Sequence, residues 1–358
     1  MNKEHRFPYE WNLKDAIFTK DKGKAFSCFA CGGGSTMGYK LAGFDVIGCN
    51  EIDPKMMAAY KANHNPKYSF LEPIQTFKLR EDLPKELYKL DILDGSPPCS
   101  SFSMAGSREK SWGKEKVFRE GQAKQVLDTL FFDFIGLAEK LKPKIVIAEN
   151  VKGLLLGNAR DYVRNIYTAF DKAGYYVQHF LLDASKMGVP QRRERVFFIA
   201  MRKDLAKNFL CSPDMFTVIP KLELSFNEKG IIYNDIYEEN AVGLQNIPPS
   251  YANLWAKRDY KEFSMSETSL RCKQVKNFFS VKYIHKNKVL YTITADDKNI
   301  LIDELRCLSK NELCKAGTYP LDYDFVTNKV YYLIGMSVPP VMTAQIATEI
   351  FNQWISKF

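Results

Sequence analysis

Cys99 stands at the end of the run LDILDGSPPC, directly after Pro97 and Pro98. A thiol at the carboxyl end of a strand lies where open sheets place their ligands, and two prolines before it fix the backbone. A cysteine so placed can be activated for nucleophilic attack, although a buried structural thiol would supply the same residue type. Glu149 closes a second strand, IVIAEN, so its carboxylate faces the same crevice, where an acid is costly unless it is used. Gln191, Arg192, Arg193, Glu194 and Arg195 precede a later strand, and alternation aims Arg193 and Arg195 to one side with Arg192 and Glu194 to the other. Taken alone, such a charge run is a solvated face.

A second constellation opens the chain. The run FSCFACGGGSTMGYKLAGF places Gly32, Gly33 and Gly34 between a strand and a helix that starts near Ser35. This is a nucleotide-binding arrangement whose spacing is not the G-x-G-x-x-G of a pyrophosphate site, so a cofactor without phosphates fits better. The next strand ends at Asn50 and Glu51, and an acid nineteen residues after Gly32 stands where such folds bind ribose hydroxyls. Cys28 and Cys31 form a C-x-x-C with no second pair at ligand spacing, so no metal is expected.

The elements that must position these residues alternate. Short apolar runs at 25–30, 44–50, 91–94 and 144–149 are separated by helical stretches, which argues for a parallel sheet with crossover helices in an α/β fold. A helix is expected from about Gly121 to Leu141, where Val126, Leu130, Phe134, Leu137 and Leu141 recur at helical steps and Pro143 ends the run. Another is expected near Asn158 to Ala173, followed by the closing strands YYVQHFLLDA and RVFFIAMR. After Arg202 the regularity fails for about a hundred residues, as in a second, smaller domain. The chain ends in a helix expected from Val338 to about Trp354, whose apolar stripe would dock on the sheet. The divisions read from the sequence are an arm over 1–23, a regular α/β domain over 24–202, a smaller irregular domain over 203–300 and a C-terminal return over 301–358.

Composition agrees with a large folded protein. At 358 residues, 46% hydrophobic and 13% aromatic, the chain can fill an extensive core and is neither disordered nor fibrous. Its net charge of +9 favours a polyanionic partner. Eight cysteines without disulfide-scaffold spacing, and no leader-like N-terminus, point to a reduced cytoplasmic protein. No stretch reads as a membrane span, since even LFFDFIGLA is cut by Asp133.

Taken in order, these residues resemble the DNA (cytosine-5)-methyltransferase family of bacterial restriction-modification type. The motifs stand here as Phe29-Ala30-Cys31-Gly32-Gly33-Gly34, Pro97-Pro98-Cys99, Glu149-Asn150-Val151, Gln191 to Arg195 and Gly335-Met336-Ser337-Val338-Pro339. The resemblance covers residues 25–202 and 300–357 and implies a Rossmann-like S-adenosylmethionine-dependent methyltransferase sheet with a small irregular target-recognition domain. It implies that Cys99 adds to C6 of a flipped-out cytosine, that Glu149 binds the exocyclic amine and N3, and that Arg193 and Arg195 hold the carbonyl oxygen and the loop. For the cofactor, S-adenosylmethionine, it implies contacts from Phe29, Gly32, Gly34, Asn50, Glu51, Ile52, Pro98, Leu130, Ser337 and Val338. Arg306, Leu308 and Glu312 resemble the helix that supports the recognition region. Several positions depart from the family pattern: Cys31 replaces a glycine, Ser27 an acid, Met336 an asparagine, and Ser100 a glutamine, while Pro73 stands where an acid often meets the adenine amine.

The implied partner is double-stranded DNA, with a cognate restriction endonuclease acting on the same site left open, no membrane, and a monomeric chain. DNA contacts are expected from Ser100 and from Arg271 to Lys288, RCKQVKNFFSVKYIHKNK, where Arg271, Lys273, Lys276 and Lys282 are interleaved with Phe278, Phe279 and Tyr283. A strand pair with inward aromatics would give the same pattern. Two other readings stand beside this one. A tRNA cytosine-5 methyltransferase shares the catalytic set, but SSFSMAG after Cys99 is of the bacterial modification type. A DNA-binding regulator on an inactive methyltransferase fold would not need Cys99, Glu149 and Arg195, which are all present.

Overall fold

The computed structural model of the chain describes residues 5–98, 115–116, 125–126, 129–156, 159–212, 218–242, 246–273, 278, 281–296 and 298–358. Its centre is a sheet of seven strands. In chain order these elements are β1 (Lys24–Cys28), α1 (Gly34–Leu41), β2 (Asp45–Glu51), α2 (Pro54–His64), β3 (Tyr68–Leu71), α3 (Ile74–Leu79) and β4 (Ile92–Gly95). There follow the short strands β5 (Glu115–Lys116) and β6 (Gln125–Val126), then α4 (Leu130–Leu141), β7 (Ile145–Val151), α5 (Arg160–Lys172), β8 (Tyr175–Asp183) and β9 (Glu194–Arg202). The sheet runs β3-β2-β1-β4-β7-β9-β8, parallel except for β9, which lies antiparallel to both its neighbours.

This order gathers the chemistry at one edge. Parallel strands β1, β2, β4 and β7 all deliver their carboxyl ends to the same side, and antiparallel β9 delivers its amino end there. Both faces are covered, so the strands read as nearly continuous apolar runs. Phe26, Leu93, Val146 and Phe198 pack on one face with Phe77, Phe134 and Ile166 of the helices α3, α4 and α5. Ala25, Ile92, Ile147 and Phe197 pack on the other with Tyr39 of α1 and with Val341 and Ile346 of the C-terminal helix.

Several expectations need correction. The helix expected from Gly121 begins at Leu130, because Gln125 and Val126 are extended and paired with Lys116 and Glu115. The helical recurrence of Leu130, Phe134, Leu137 and Leu141 is kept, while Val126 is taken by the strand ladder. The C-terminal helix α10 (Pro340–Gln353) starts two residues after Val338, with proline at its first position. The stretch Val330–Lys357 is long and apolar enough to cross a membrane, but 72% of its most apolar window is buried inside the fold. It is also interrupted at Ser337 and Pro339, between α9 (Val330–Met336) and α10.

Residues 203–309 carry β10 (Leu210–Cys211), β11 (Ile219–Pro220), α6 (Pro249–Trp255), α7 (Met265–Arg271), β12 (Tyr283–Ile284) and β13 (Ile300–Leu301). Leu222, Leu224 and Phe226 pack against the core of the sheet, whereas Leu254, Met265, Phe278, Val281, Tyr283, Ile300 and Ile302 form a small core of their own. Trp11 of the N-terminal arm is buried and donates its indole N–H to Thr318 O at 3.0 Å. Arg306 and Leu308 precede the helix α8 (Lys310–Gly317) instead of lying in it, since Ser309 caps that helix in a reciprocal pair with Glu312.

Candidate active site

The turn after β1 is bent sharply. Phe29 (φ 52°) and Cys31 (φ 50°) both hold left-handed backbone, and Gly33 (φ 86°) follows at the start of α1. Left-handed non-glycine residues cost roughly 1–2 kcal/mol each, so the surroundings must hold this shape. One holder is Glu51. Its Oε2 accepts the Cys31 N–H at 2.7 Å, and its Oε1 accepts the N–H groups of Ile52 (2.8 Å) and Asp53 (2.9 Å). Burial pushes the Glu51 carboxyl up, against the pull of these three N–H donors.

The three glycines answer to protein neighbours. A Cβ on Gly32 would meet the Leu333 side chain at 2.7 Å, one on Gly33 would meet His64 at 2.2 Å, and one on Gly34 would meet Val338 O at 2.4 Å. The space that the sequence suggested for a ligand is therefore occupied by α2, α9 and the segment before α10. Tyr323 adds a hydrogen bond from its hydroxyl to Gly32 O. The Cys31 thiol lies 3.6 Å from Met56 Sδ and from Ser337 Oγ, and burial with Glu51 nearby pushes it up to about 12. It is a packed neutral thiol.

Among the expected cofactor contacts, Phe29, Ile52 and Pro98 are half-buried and line the carboxyl edge beside Glu51. Others turn inward. Leu130 is fully buried in the core. The Asn50 amide donates to Phe70 O (3.3 Å) and Glu72 O (2.8 Å), so it fastens β3 to β2. Ser337 donates to Leu333 O at 2.8 Å, and both it and Val338 are buried. The donor set suits a cofactor with hydroxyls and no phosphate: the charged group presented at the β2 end is an anion, which would repel one.

At the centre of the edge, Glu149 and Arg195 meet, Nε to Oε1 at 3.0 Å, with both side chains nearly buried. Burial lowers the Arg195 guanidinium from its usual range, and Glu149 opposes that shift. The neighbouring Asn150 donates to Pro97 O at 3.1 Å. That bond ties the strand carrying Glu149 to the segment two residues before Cys99. Cys99 and Ser100 lie outside the described residues, as does Lys276.

Arg193 corrects the sequence reading. Alternation does bury Arg193 while Arg192 and Glu194 stay exposed. Its guanidinium, however, donates to Ile293 O (2.9 Å), Gly335 O (2.9 Å) and Ser337 O (2.8 Å). Backbone carbonyls hold three of its five N–H donors, those on Nη1 and Nη2, and its buried Nε has no hydrogen-bond partner among the described residues. Burial, with Arg195 beside it, lowers Arg193 to about 9. Gln191 works alongside it, donating to Ala316 O at 2.7 Å and accepting from Ile293 N at 3.1 Å. Residues 191 and 193 therefore dock later segments onto the sheet.

The basic segment divides in the same way. Phe278 and Tyr283 pack inward, and Arg271 pairs with Glu262 at 2.8 Å, so neither ring is a stacking platform and that cation is neutralised. Phe279 lies outside the described residues. Lys273 is exposed, and Lys282 is half-buried with its backbone bridged to Ser264. Sequence reasoning missed Asp94, a buried acid on β4; its signal was an aspartate inside the otherwise apolar strand ILDG.

Comparison with known proteins bears on this site as a whole. The family described as C-5 cytosine-specific DNA methylase matches residues 23–352. The type II methyltransferase M.FnuDI of Fusobacterium nucleatum is 37% identical over 354 residues, covering 91% of this chain and 94% of that protein. M.NgoPII of Neisseria gonorrhoeae, also a type II methyltransferase, is 30% identical over 347 residues, with 91% and 95% covered. Among solved structures, a candidate DNA modification methyltransferase from an Escherichia coli prophage superposes with a TM-score of 0.63 at 19% identity, covering 92% of this chain and 99% of that one. Spodoptera frugiperda DNMT2 superposes at 0.58 with 20% identity, with 92% and 99% covered. These two show the shared fold.

Proposed function

The chain belongs to the C-5 cytosine-specific DNA methylase family and is a DNA (cytosine-5)-methyltransferase, and from that premise we propose that it methylates one specific duplex sequence through a covalent Cys99 intermediate. The observation that carries the reading is the bond from Asn150 to Pro97 O, which brings the Glu149 strand and the Cys99 segment to one edge. C5 of cytosine is a weak nucleophile. The Cys99 thiolate adds at C6, and the electron density moves to C5. Glu149 has one oxygen on Arg195; the other would accept the exocyclic N4–H, and a proton shared between Glu149 and N3 would neutralise the negative charge that the addition moves onto the ring. After C5 is alkylated, a base or a water molecule takes its proton, the C5–C6 double bond re-forms, the C6–S bond breaks and Cys99 is released as thiolate.

S-adenosylmethionine, when bound, supplies the electrophilic methyl group. Phe29, Glu51, Ile52 and Pro98 are the residues that would hold it, with Glu51 receiving ribose hydroxyls. Because C6 is hidden in a stacked duplex, the target base must be flipped out. The type II relatives support a restriction-modification role; a cognate endonuclease, a monomeric state and a cytoplasmic location belong to the proposal. The separate small core around Leu254 and Tyr283 supports reading the middle of the chain as the target-recognition domain. Methyl transfer measured on duplex DNA and on tRNA tests the substrate. Incorporation into duplex DNA at one repeated sequence is expected, and incorporation into tRNA alone would overturn the reading.

A further inference from the structure

Asp94 is a buried acid that no step above uses. In the parallel register it stands opposite Ser27 on β1 and Ile147 on β7, on the face covered by α1. From α1 come Ser35 and Tyr39, one helical turn apart. The Asp94 Oδ2 accepts the hydroxyls of Ser27 and Ser35, each at 2.8 Å, and Oδ1 accepts the Tyr39 hydroxyl at 3.0 Å. The hydrogen-bond donors are all neutral. A neutral side chain would join α1 to the sheet at lower cost than a desolvated carboxylate. What a carboxylate alone offers is acceptor capacity: one group receives three hydroxyls from two elements at once.

Those elements carry the two halves of the site. The bent turn over Phe29 to Gly34 lies between Ser27 and Ser35, and Cys99 follows Asp94 by five residues through the Gly95 to Pro98 segment. We infer that Asp94 is a positioning residue that locks the cofactor turn and the nucleophile segment into one register, so that methyl donor and base are presented at a fixed separation. The inference rests on the methyl-transfer reading above and concerns a residue that touches neither ligand.

Asp94→Asn keeps the shape but replaces one acceptor oxygen by a donor amide, so at least one hydroxyl loses its partner. At saturating duplex DNA and S-adenosylmethionine its methyl-transfer rate should fall at least about tenfold, as small misplacements of reacting groups do, with the KM for DNA unchanged. The exchange Ser27→Asp with Asp94→Ser moves the carboxylate to its register partner, within reach of the same helix, and should restore most of the rate. A wild-type rate in Asp94→Asn, or an exchange no faster than Asp94→Asn, overturns the inference. If Asp94→Asn does not fold, Tyr39→Phe removes a single donor; a reduced rate at a wild-type unfolding temperature supports positioning, and an unchanged rate opposes it. Should the wild type methylate no DNA, the functional reading fails, and calorimetric binding of S-adenosylmethionine still tests Asp94. Weakening by roughly tenfold in Asp94→Asn is expected from one missing hydrogen bond in the register lock, and unchanged affinity refutes it.

Discussion

Arg195 Nε lies 3.0 Å from Glu149 Oε1, and the strand register explains why. On the antiparallel pair β7–β9, Glu149 stands opposite Phe197 and Val151 opposite Arg195, so the two charged residues are diagonal neighbours on one face. Removing Glu149 leaves a nearly buried guanidinium without its partner. Glu149→Ala should therefore cost about 3 kcal/mol in urea unfolding. Glu149→Gln should keep most of the stability and still lose at least about 100-fold in methyl-transfer rate. A Gln variant with near-normal turnover would remove Glu149 from the chemistry.

Cys99→Ser should abolish methyl transfer and leave folding and cofactor affinity close to wild type. The wild type should form a denaturation-resistant adduct with duplex DNA carrying 5-fluorocytosine at the target, because fluorine cannot leave C5 as a proton does. Gel mobility under denaturing conditions reads the adduct directly; its absence at the methylated site argues against a C6 thioether.

Glu51→Ala should weaken S-adenosylmethionine binding by one to two orders of magnitude, since charge-assisted hydrogen bonds are worth about 1.5 kcal/mol or more each. It should also lower stability, because the N–H groups of Cys31, Ile52 and Asp53 lose their common acceptor. Calorimetry and thermal unfolding separate the two effects. Unchanged affinity would place the ribose elsewhere.

Burial pushes the Asp94 carboxyl from 3.8 up to about 6; the hydroxyls of Ser35, Ser27 and Tyr39 pull it down and Glu149 pushes it further up. The other titratable groups facing it are Cys28, Tyr39 and Tyr60, all held neutral by burial. Between these two values the folded state holds the proton more tightly than the unfolded chain does. The Asp94 contribution to stability is thus fullest below about pH 4 and declines as pH rises to about 6, by at most about 1.4 kcal/mol per pH unit. Asp94→Asn should lack that component, which the difference between the two stability profiles from pH 4 to pH 7 reads out. Parallel profiles would contradict it.

Lys273→Ala with Lys276→Ala should weaken duplex binding broadly and lower the slope of log affinity against log salt by roughly 0.9 for each phosphate no longer neutralised. Arg271→Ala should change that slope little, because Glu262 already holds its guanidinium. Fluorescence anisotropy across a salt series distinguishes the two. A wild-type slope in the lysine pair would place this segment away from DNA.

The sheet was legible because its strands are buried on both sides: runs such as DILDG and IVIAEN have no other home in a protein of this size. The approach of Glu149 to Arg195 was half legible, since alternation within QRRER gives the side but not the partner. Arg193 was misread for a physical reason. Alternation predicts that a residue points inward; it does not say whether a base or three carbonyls from positions 293, 335 and 337 will be waiting there. Packing gives Leu130 to the core and the Asn50 amide to β3, assignments that order along the chain does not contain. Asp94 was missed because its meaning lies in Ser27, Ser35 and Tyr39, residues that a local pattern does not connect to it.

The glycine turn near the start of the chain is walled by residues near its end: Leu333 and Val338 fill the space beside Gly32 and Gly34, and Tyr323 reaches Gly32 O across 291 positions. During synthesis, that wall leaves the ribosome only after the whole central region has been made. A nascent chain can therefore build most of the sheet before its cofactor turn has a wall, and the turn is completed only once residues 323–338 have been made.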